Sequence, residues 1–498
     1  GEPYKMEVCR HGFDVGEFRA WWRIVWPSVI GLMLFMSLDF ADSSILGHYQ
    51  GGRYLPESAS TLIVVSLTST MIMQGCGAAV SYLSANARGA GQDELAGRRL
   101  VLAVTFGALT AVLISPLWAF AGSLVVAFSG SSIDAGVANL YGRWRLVGIL
   151  GMSSQTCMSS WASGRGVTMP MLYTNMVVAG TNVVLNFILL DAMGFTGSPL
   201  ATALSRWLGF WLYLVFTWKQ LVQCRPADLR GCFTRRRCCE FLRVAIPMTL
   251  QGLLQEIYMQ ILALFAANLG PSEIATHNGM LACISLFSAG LFGCNTGTRS
   301  RIAAHVVAGN IVGVRRVQLQ SLIVMVSISL AVAISFVVLQ DGVGRLFSAD
   351  PQVWRLAGQL SSAVGASYLI LTFFFWSMAT LNATGQSAWV AVAYVLGSYV
   401  VGLPLSYYLG FVLSPSAFRG WPFFQVEARD RGIGLLGVWL GLGAGYLVSM
   451  SCVVGRVLMM RNWQKYIDRA QRVAEVTRPA AAREVSSPCS PQGGPPAG

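Results

Sequence analysis

"FMSLDFADSSILGHY" (residues 35–49) sets two aspartates, Asp39 and Asp42, into a run apolar enough to cross a bilayer. No lysine or arginine lies within the stretch to pair with them. An ionised carboxyl in hydrocarbon is costly, roughly 2.5–3.5 kcal/mol on insertion scales, so intramembrane acids are read as functional by default. The two are three residues apart and share one helical face.

The rest of the chain supports a membrane reading. Of its 498 residues, 54% are hydrophobic and only 11% charged. A soluble domain carries about 25% charged residues. The mean hydropathy is +0.57. Apolar runs fall near 24–47, 59–83, 100–128, 137–162, 169–190, 199–218, 244–269, 275–298, 319–339, 357–382, 389–413 and 434–458. These are too long for the alternating strands of a barrel, so the expected fold is an all-α helical bundle. The twelve runs are named α1 to α12 in chain order.

Arginines and lysines sort by loop. They crowd the N-terminal segment (Lys5, Arg10, Arg19, Arg23) and the connections after α2, α6 and α8, but thin out after odd helices. The positive-inside rule then predicts both termini in the cytoplasm. The net charge of +13 is accounted for by this sorting, so no nucleic-acid partner is expected. The first 23 residues are polar and mixed, unlike a signal peptide.

"KQLVQCRPADLRGCFTRRRCCEFLR" (219–243) divides the spans six and six. The expected organisation is a cytoplasmic segment 1–20, an N-terminal bundle 21–218, a linker 219–243, a C-terminal bundle 244–460 and a cytoplasmic tail 461–498. Gly75-Cys76 and Gly293-Cys294 lie 218 positions apart, as do Ala90-Gly91 and Ala308-Gly309; Pro27 and Pro247, read as opening α1 and α7, are 220 apart. Offsets this close, with six helices per half, imply a parallel repeat related by a pseudo-two-fold axis along the membrane normal. In the tail, 461–476 reads as an amphipathic helix lying on the inner membrane surface, and 486–498 as a Pro/Gly/Ser-rich disordered end. The eleven cysteines include no CxxC pair; Cys224, Cys232, Cys238 and Cys239 cluster in the linker and read as free thiols.

Asp42 and Asp39 are the candidate ion-coupling acids, able to take up H⁺ or Na⁺. Their alternative is a protonated carboxyl bonded to a neighbour for packing. Asn182 and Asn186 in α5 are i, i+4 and present amides to one face. Tyr141 in α4 and Thr202 in α6 are candidates for the same cavity, whereas Arg143 and Arg145 are expected to snorkel to the outer interface. In α7, Gln251, Gln255, Glu256 and Gln260 form a polar stripe and are the candidate substrate contacts. Four scattered histidines show no metal spacing, and no nucleotide motif or catalytic cluster appears, so the chain reads as a non-enzyme without cofactor.

Several stretches resemble the multidrug and toxic compound extrusion (MATE) family: "FADSSILGH", "ANARGAGQ", "TNVVLN", "LATA", "RSRIAAHVVAGN", "YVVGLPLSYYL" and "GLLGVWLGLGAG". Their order and the six-plus-six plan carry the resemblance over roughly residues 20–460. It implies two bundles around a central cavity and export of organic cations or amphipathic compounds against H⁺ or Na⁺, by a monomer in a plasma or vacuolar membrane. It also implies an N-bundle ion site of Asp42, Tyr141, Asn182, Asn186 and Thr202. The chain departs from the family in α7, where Gln255 stands at the usual acid's place and Glu256 one position on, about 100° around the helix. Leu281 and Leu371 stand where animal members carry acids. These departures favour coupling through the N-terminal bundle. An organic-anion or lipid-linked substrate remains the alternative if Arg143, Arg145 or Arg206 turn inward; a polytopic enzyme or receptor is the remote one.

Overall fold

The computed structural model describes residues 14–48, 54–129, 133–346, 348, 350–413, 432–460 and 462–475. The Asp39 side chain and the 486–498 stretch lie outside the described residues.

Among the described residues, ten stretches are individually long and apolar enough to span a membrane. Two structural breaks bring the count to twelve. Met169–Phe216, with 48 residues, would reach about 72 Å as one helix, far beyond a hydrocarbon core of about 30 Å. It folds back at a 3₁₀ turn, Gly194–Thr196, into α5 (Met169–Met193) and α6 (Gly197–Phe216). Gly194 permits the reversal by adopting φ +67°. The second break is in α4, which consists of Ala135–Leu146 and Ile149–Gly164, each too short to span alone.

The other helices of the first half are α1 (Val15–His48), α2 (Leu55–Thr70, a π-helical segment Met71–Gly77, then Ala78–Gly89) and α3 (Asp93–Ala119). The expected run 100–128 breaks after Ala119, and Ala121–Ser129 forms a separate short helix. The second half contains α7 (Arg235–Leu269), α8 (Pro271–Val307), α9 (Ile311–Val338), α10 (Pro351–Ala383), α11 (Ser387–Val412) and α12 (Leu435–Leu458). Pro27 and Pro247 do not open their helices. Each lies twelve residues inside (27 − 15 and 247 − 235), where a proline removes one backbone hydrogen bond and bends the helix. The matching glycines Gly91 and Gly309 take φ of +66° and +71° in equivalent turns.

The hydrogen bonds and ion pairs found between the bundles among the described residues gather at one end, here called the basic end. It carries the start of α1 and the connections after α2, α6 and α8. Glu17 accepts two bonds from Arg301, at 2.8 and 2.6 Å, and lies 3.3 Å from His305. Arg316 pairs with Asp14 at 2.5 Å. Trp21 donates to Thr298 at 3.1 Å, and Ser300 to the Gly164 carbonyl at 2.9 Å. Gly293 and Gly297 face Val29 and Val25, letting α8 approach α1 closely.

The tail corrects one expectation. α13 (Trp463–Glu475) does not merely lie on a membrane surface. Trp463, Ile467 and Ala470 are buried in the core shared by both bundles. Gln471 donates to the Val307 carbonyl of α8 at 3.1 Å. The helix also packs on α2, so it straddles the seam.

Candidate functional site

Asp42 sits 27 residues into α1 (42 − 15) and six before its end (48 − 42), so about 40 Å from the basic end and about 9 Å from the far one at 1.5 Å per residue. It is not at the helix midpoint. Its site is assembled from the far ends of four helices. The α5–α6 hairpin puts Asn186, near the end of α5, level with Thr202, near the start of α6.

Asp42 is buried, as are Asn182, Asn186, Tyr141 and Thr202. Asn186 Nδ2 donates to Asp42 Oδ1 at 2.8 Å, and Thr202 donates its hydroxyl to Oδ2. Asn186 Nδ2 also reaches the Asn182 carbonyl and side-chain oxygens at 3.0 and 3.3 Å. A hydrogen bond to a charged partner is worth about 1.5–3 kcal/mol, so these donors offset much of the carboxylate's desolvation.

Arg145 was expected at the interface and is found inside. Its Nη1 lies 3.7 Å from Asp42 Oδ2 and donates to the Tyr141 hydroxyl at 3.5 Å. Tyr141 and Arg145 are i, i+4 on α4 and share a face. That spacing was the available signal: whatever turned Tyr141 inward had to turn Arg145 inward too. Arg143, two positions from either, is exposed and lies over the Phe120 ring at 5.8 Å, as expected. Arg206 is also buried, 4.2 Å from the centre of the Phe35 ring.

The α7 candidates do not form one continuous wall. Gln251 is buried, with Nε2 2.8 Å from Met378 Sδ, while Gln255, Glu256 and Gln260 are half-buried. Beside them Tyr258, Tyr394 and Tyr446 form an aromatic cluster with ring centres 5.9–6.5 Å apart. Tyr399 packs on Tyr258 at 5.8 Å and donates to the Leu254 carbonyl at 2.8 Å. The Pro27-to-Pro247 offset carries Asp42 onto Leu262, which is fully buried and apolar. The second bundle thus carries no acid at the position equivalent to Asp42.

Comparisons with known proteins agree with this architecture. The chain is 23% identical over 311 residues to human multidrug and toxin extrusion protein 1, covering 62% of this chain and 51% of the relative. The chain thus spans about half the length of that relative. With protein DETOXIFICATION 16 of Arabidopsis thaliana it shares 24% identity over 465 residues, covering 89% and 88% of the two chains. The crystal structure of a eukaryotic MATE transporter, AtDTX14, superposes with a TM-score of 0.80 at 19% identity, over 92% of this chain and 99% of that one. The MatE family profile matches twice, at residues 27–188 and 247–408. With one copy in each half, the chain belongs to the MatE family of membrane transporters.

Proposed function

We propose that this chain is a proton-coupled antiporter exporting organic cations or amphipathic compounds, with Asp42 as the coupling carboxyl. The observation that carries the reading is Asp42 itself: a buried acid held by Asn186 and Thr202, with Arg145 3.7 Å away. H⁺ is preferred to Na⁺ because the groups contacting the carboxyl donate to it and a guanidinium cation stands 3.7 Å away. An amide N–H, a hydroxyl and a guanidinium satisfy a carboxylate, but Na⁺ needs oxygen ligands in the same space. Protonation removes the acid's charge and loosens its hold on Arg145 and Asn186, so α1, α4 and α5 repack as the proton comes and goes. Glu256 and the tyrosine cluster supply an acid and aromatic faces of the kind that bind organic cations. With the basic end cytoplasmic, each pH unit supplies about 1.4 kcal/mol per proton and each 100 mV about 2.3 kcal/mol per charge.

A second reading, export of an organic anion, is favoured by the inward-turned guanidiniums of Arg145 and Arg206. Both readings are tested in proteoliposomes, with the protein as a monomer. A fluorescent cation should be driven by an imposed pH gradient and not by a Na⁺ gradient, and Asp42→Asn should lose that drive. Full gradient-driven flux in Asp42→Asn removes the mechanism; gradient-driven flux of a carboxylate but not of the cation selects the second reading.

A further inference from the structure

At the basic end, five arginines meet where the bundles touch. Arg98 and Arg99 come from the first turns of α3, and Arg236, Arg237 and Arg243 from those of α7. Between them runs a narrow cleft lined by Arg98, Arg99, Arg237 and Glu240, with Leu83 and Phe241 on its apolar side. Phe241 stacks on Phe106 of α3 at 5.5 Å.

The charges in this cleft are unbalanced. Arg99 reaches Glu240 at 3.4 Å across the seam, and Arg236, Arg237 and Arg243 lie within electrostatic reach of the same carboxylate. Arg98 pairs with Glu94 at 2.6 Å, while its Nε is buried without a hydrogen-bond partner. Asp228, the next acid, accepts from the backbone N–H groups of Arg230 and Gly231. Three guanidiniums lining the cleft, with Arg236 and Arg243 beside it, thus face two carboxylates and a third already engaged; Arg99 and Arg237 also donate to the Leu83 and Gly231 carbonyls, which leaves like charges on opposite sides of the seam. Repulsion of that kind favours separation unless an anion sits between them.

The surface beside the cleft points to the anion's source. The exposed stripe of α7 runs Leu250, Ile246, Arg243, Cys239, Arg236, passing from apolar to basic toward the helix start. Ile246 and Leu250 are 60% and 50% exposed. The preceding linker exposes Val222, Leu229 and Phe233 among Arg225, Arg230 and Arg235. Large apolar side chains interleaved with arginines suit the depth where acyl chains give way to headgroups.

We propose that this seam binds an anionic phospholipid of the surrounding leaflet, its phosphodiester bridging arginines of α3 and α7 and its acyl chains lying along Ile246 and Leu250. The bridged lipid holds the bundles together at the basic end, so lipid charge regulates the step in which that end opens.

The test is thermal unfolding of the purified full chain in detergent with added phosphatidylglycerol, phosphatidylcholine or inorganic phosphate. Phosphatidylglycerol should raise the melting temperature, and the other two should not. High salt should abolish the shift in the native protein. Arg236→Gln/Arg243→Gln should lose the shift, whereas Arg236→Lys/Arg243→Lys should keep it. An equal shift with phosphatidylcholine, or one unaffected by salt, overturns the proposal. A shift with phosphate alone replaces the lipid by a free anion and overturns it as well. If the glutamine pair does not fold, the salt series on the native protein decides.

Discussion

Asp42 and Asn186 are 144 positions apart in the chain and 2.8 Å apart in the structure. That contact joins α1 to α5 at the far end, away from the ion pairs that close the basic end. Asn186 is also tied to Asn182 one turn earlier, so a change at the carboxyl is passed along α5. Asn186→Ala should leave the fold intact and lower gradient-driven flux about tenfold or more, since one charge-assisted bond of about 1.5–3 kcal/mol is lost. The check is flux at fixed pH gradient beside a melting curve. Unchanged flux would show that the amide only packs.

Arg145 and Asp42 are mutually dependent. Removing one member of a buried pair strands the other, at a cost of about 3–5 kcal/mol, whereas removing both costs much less. Arg145→Gln should therefore lower the melting temperature, and Arg145→Gln/Asp42→Asn should recover most of the loss. Non-additivity of this size measures direct coupling. Additive losses would mean that the 3.7 Å approach contributes little.

Much of this arrangement could be read from the sequence, because a bilayer imposes simple rules. Span length, arginine sorting and the repeated Pro, Gly-Cys and Ala-Gly positions all follow from constraints acting on each segment alone. Asp42, Asn182, Asn186, Tyr141 and Thr202 could be named because polar groups are rare in hydrocarbon; the structure brings them together. What could not be read depends on pairwise geometry. The i, i+4 spacing from Tyr141 gives the face that Arg145 takes, but its partner there, Asp42 of α1, is set by how the two helices pack. The amphipathic face of 461–476 showed that something covers it, but not whether lipid or the seam does. The glutamines of α7 form a stripe on a helical wheel, yet Gln251 is taken up by Met378 on α10, a contact no local pattern encodes.

The linker thiols Cys224 and Cys232 should differ in reactivity from Cys239. Burial pushes the Cys224 and Cys232 thiols above the ordinary range, so both stay protonated through neutral pH and present little thiolate. Cys239 is exposed. A maleimide at neutral pH should label Cys239 first, with Cys224 and Cys232 reacting appreciably only at alkaline pH or on unfolding. Labelling is read by mass spectrometry of peptides. Fast modification of Cys224 at neutral pH would show that the linker opens readily.

The Glu17–Arg301 pair bears on the direction in which the protein opens. Arg301 grips both Glu17 oxygens, His305 stands 3.3 Å from one of them, and α13 covers the same seam. For the basic end to open, these contacts must break together. A two-pronged, half-buried pair is worth about 1.5–3 kcal/mol, so Glu17→Gln should shift the balance toward the state open at that end by about ten- to a hundredfold. Ile467→Asp should act in the same direction, because a buried isoleucine contributes about 1.5–3 kcal/mol to the docking of α13. A cysteine placed at Thr298, which is fully buried and bonded to Trp21, reports the change. It should be labelled slowly by a water-soluble maleimide in the parent and faster in either variant. If labelling is equally slow in all three, the ion pair and the tail helix do not hold the seam, and closure rests on the glycine-mediated packing of α1 on α8.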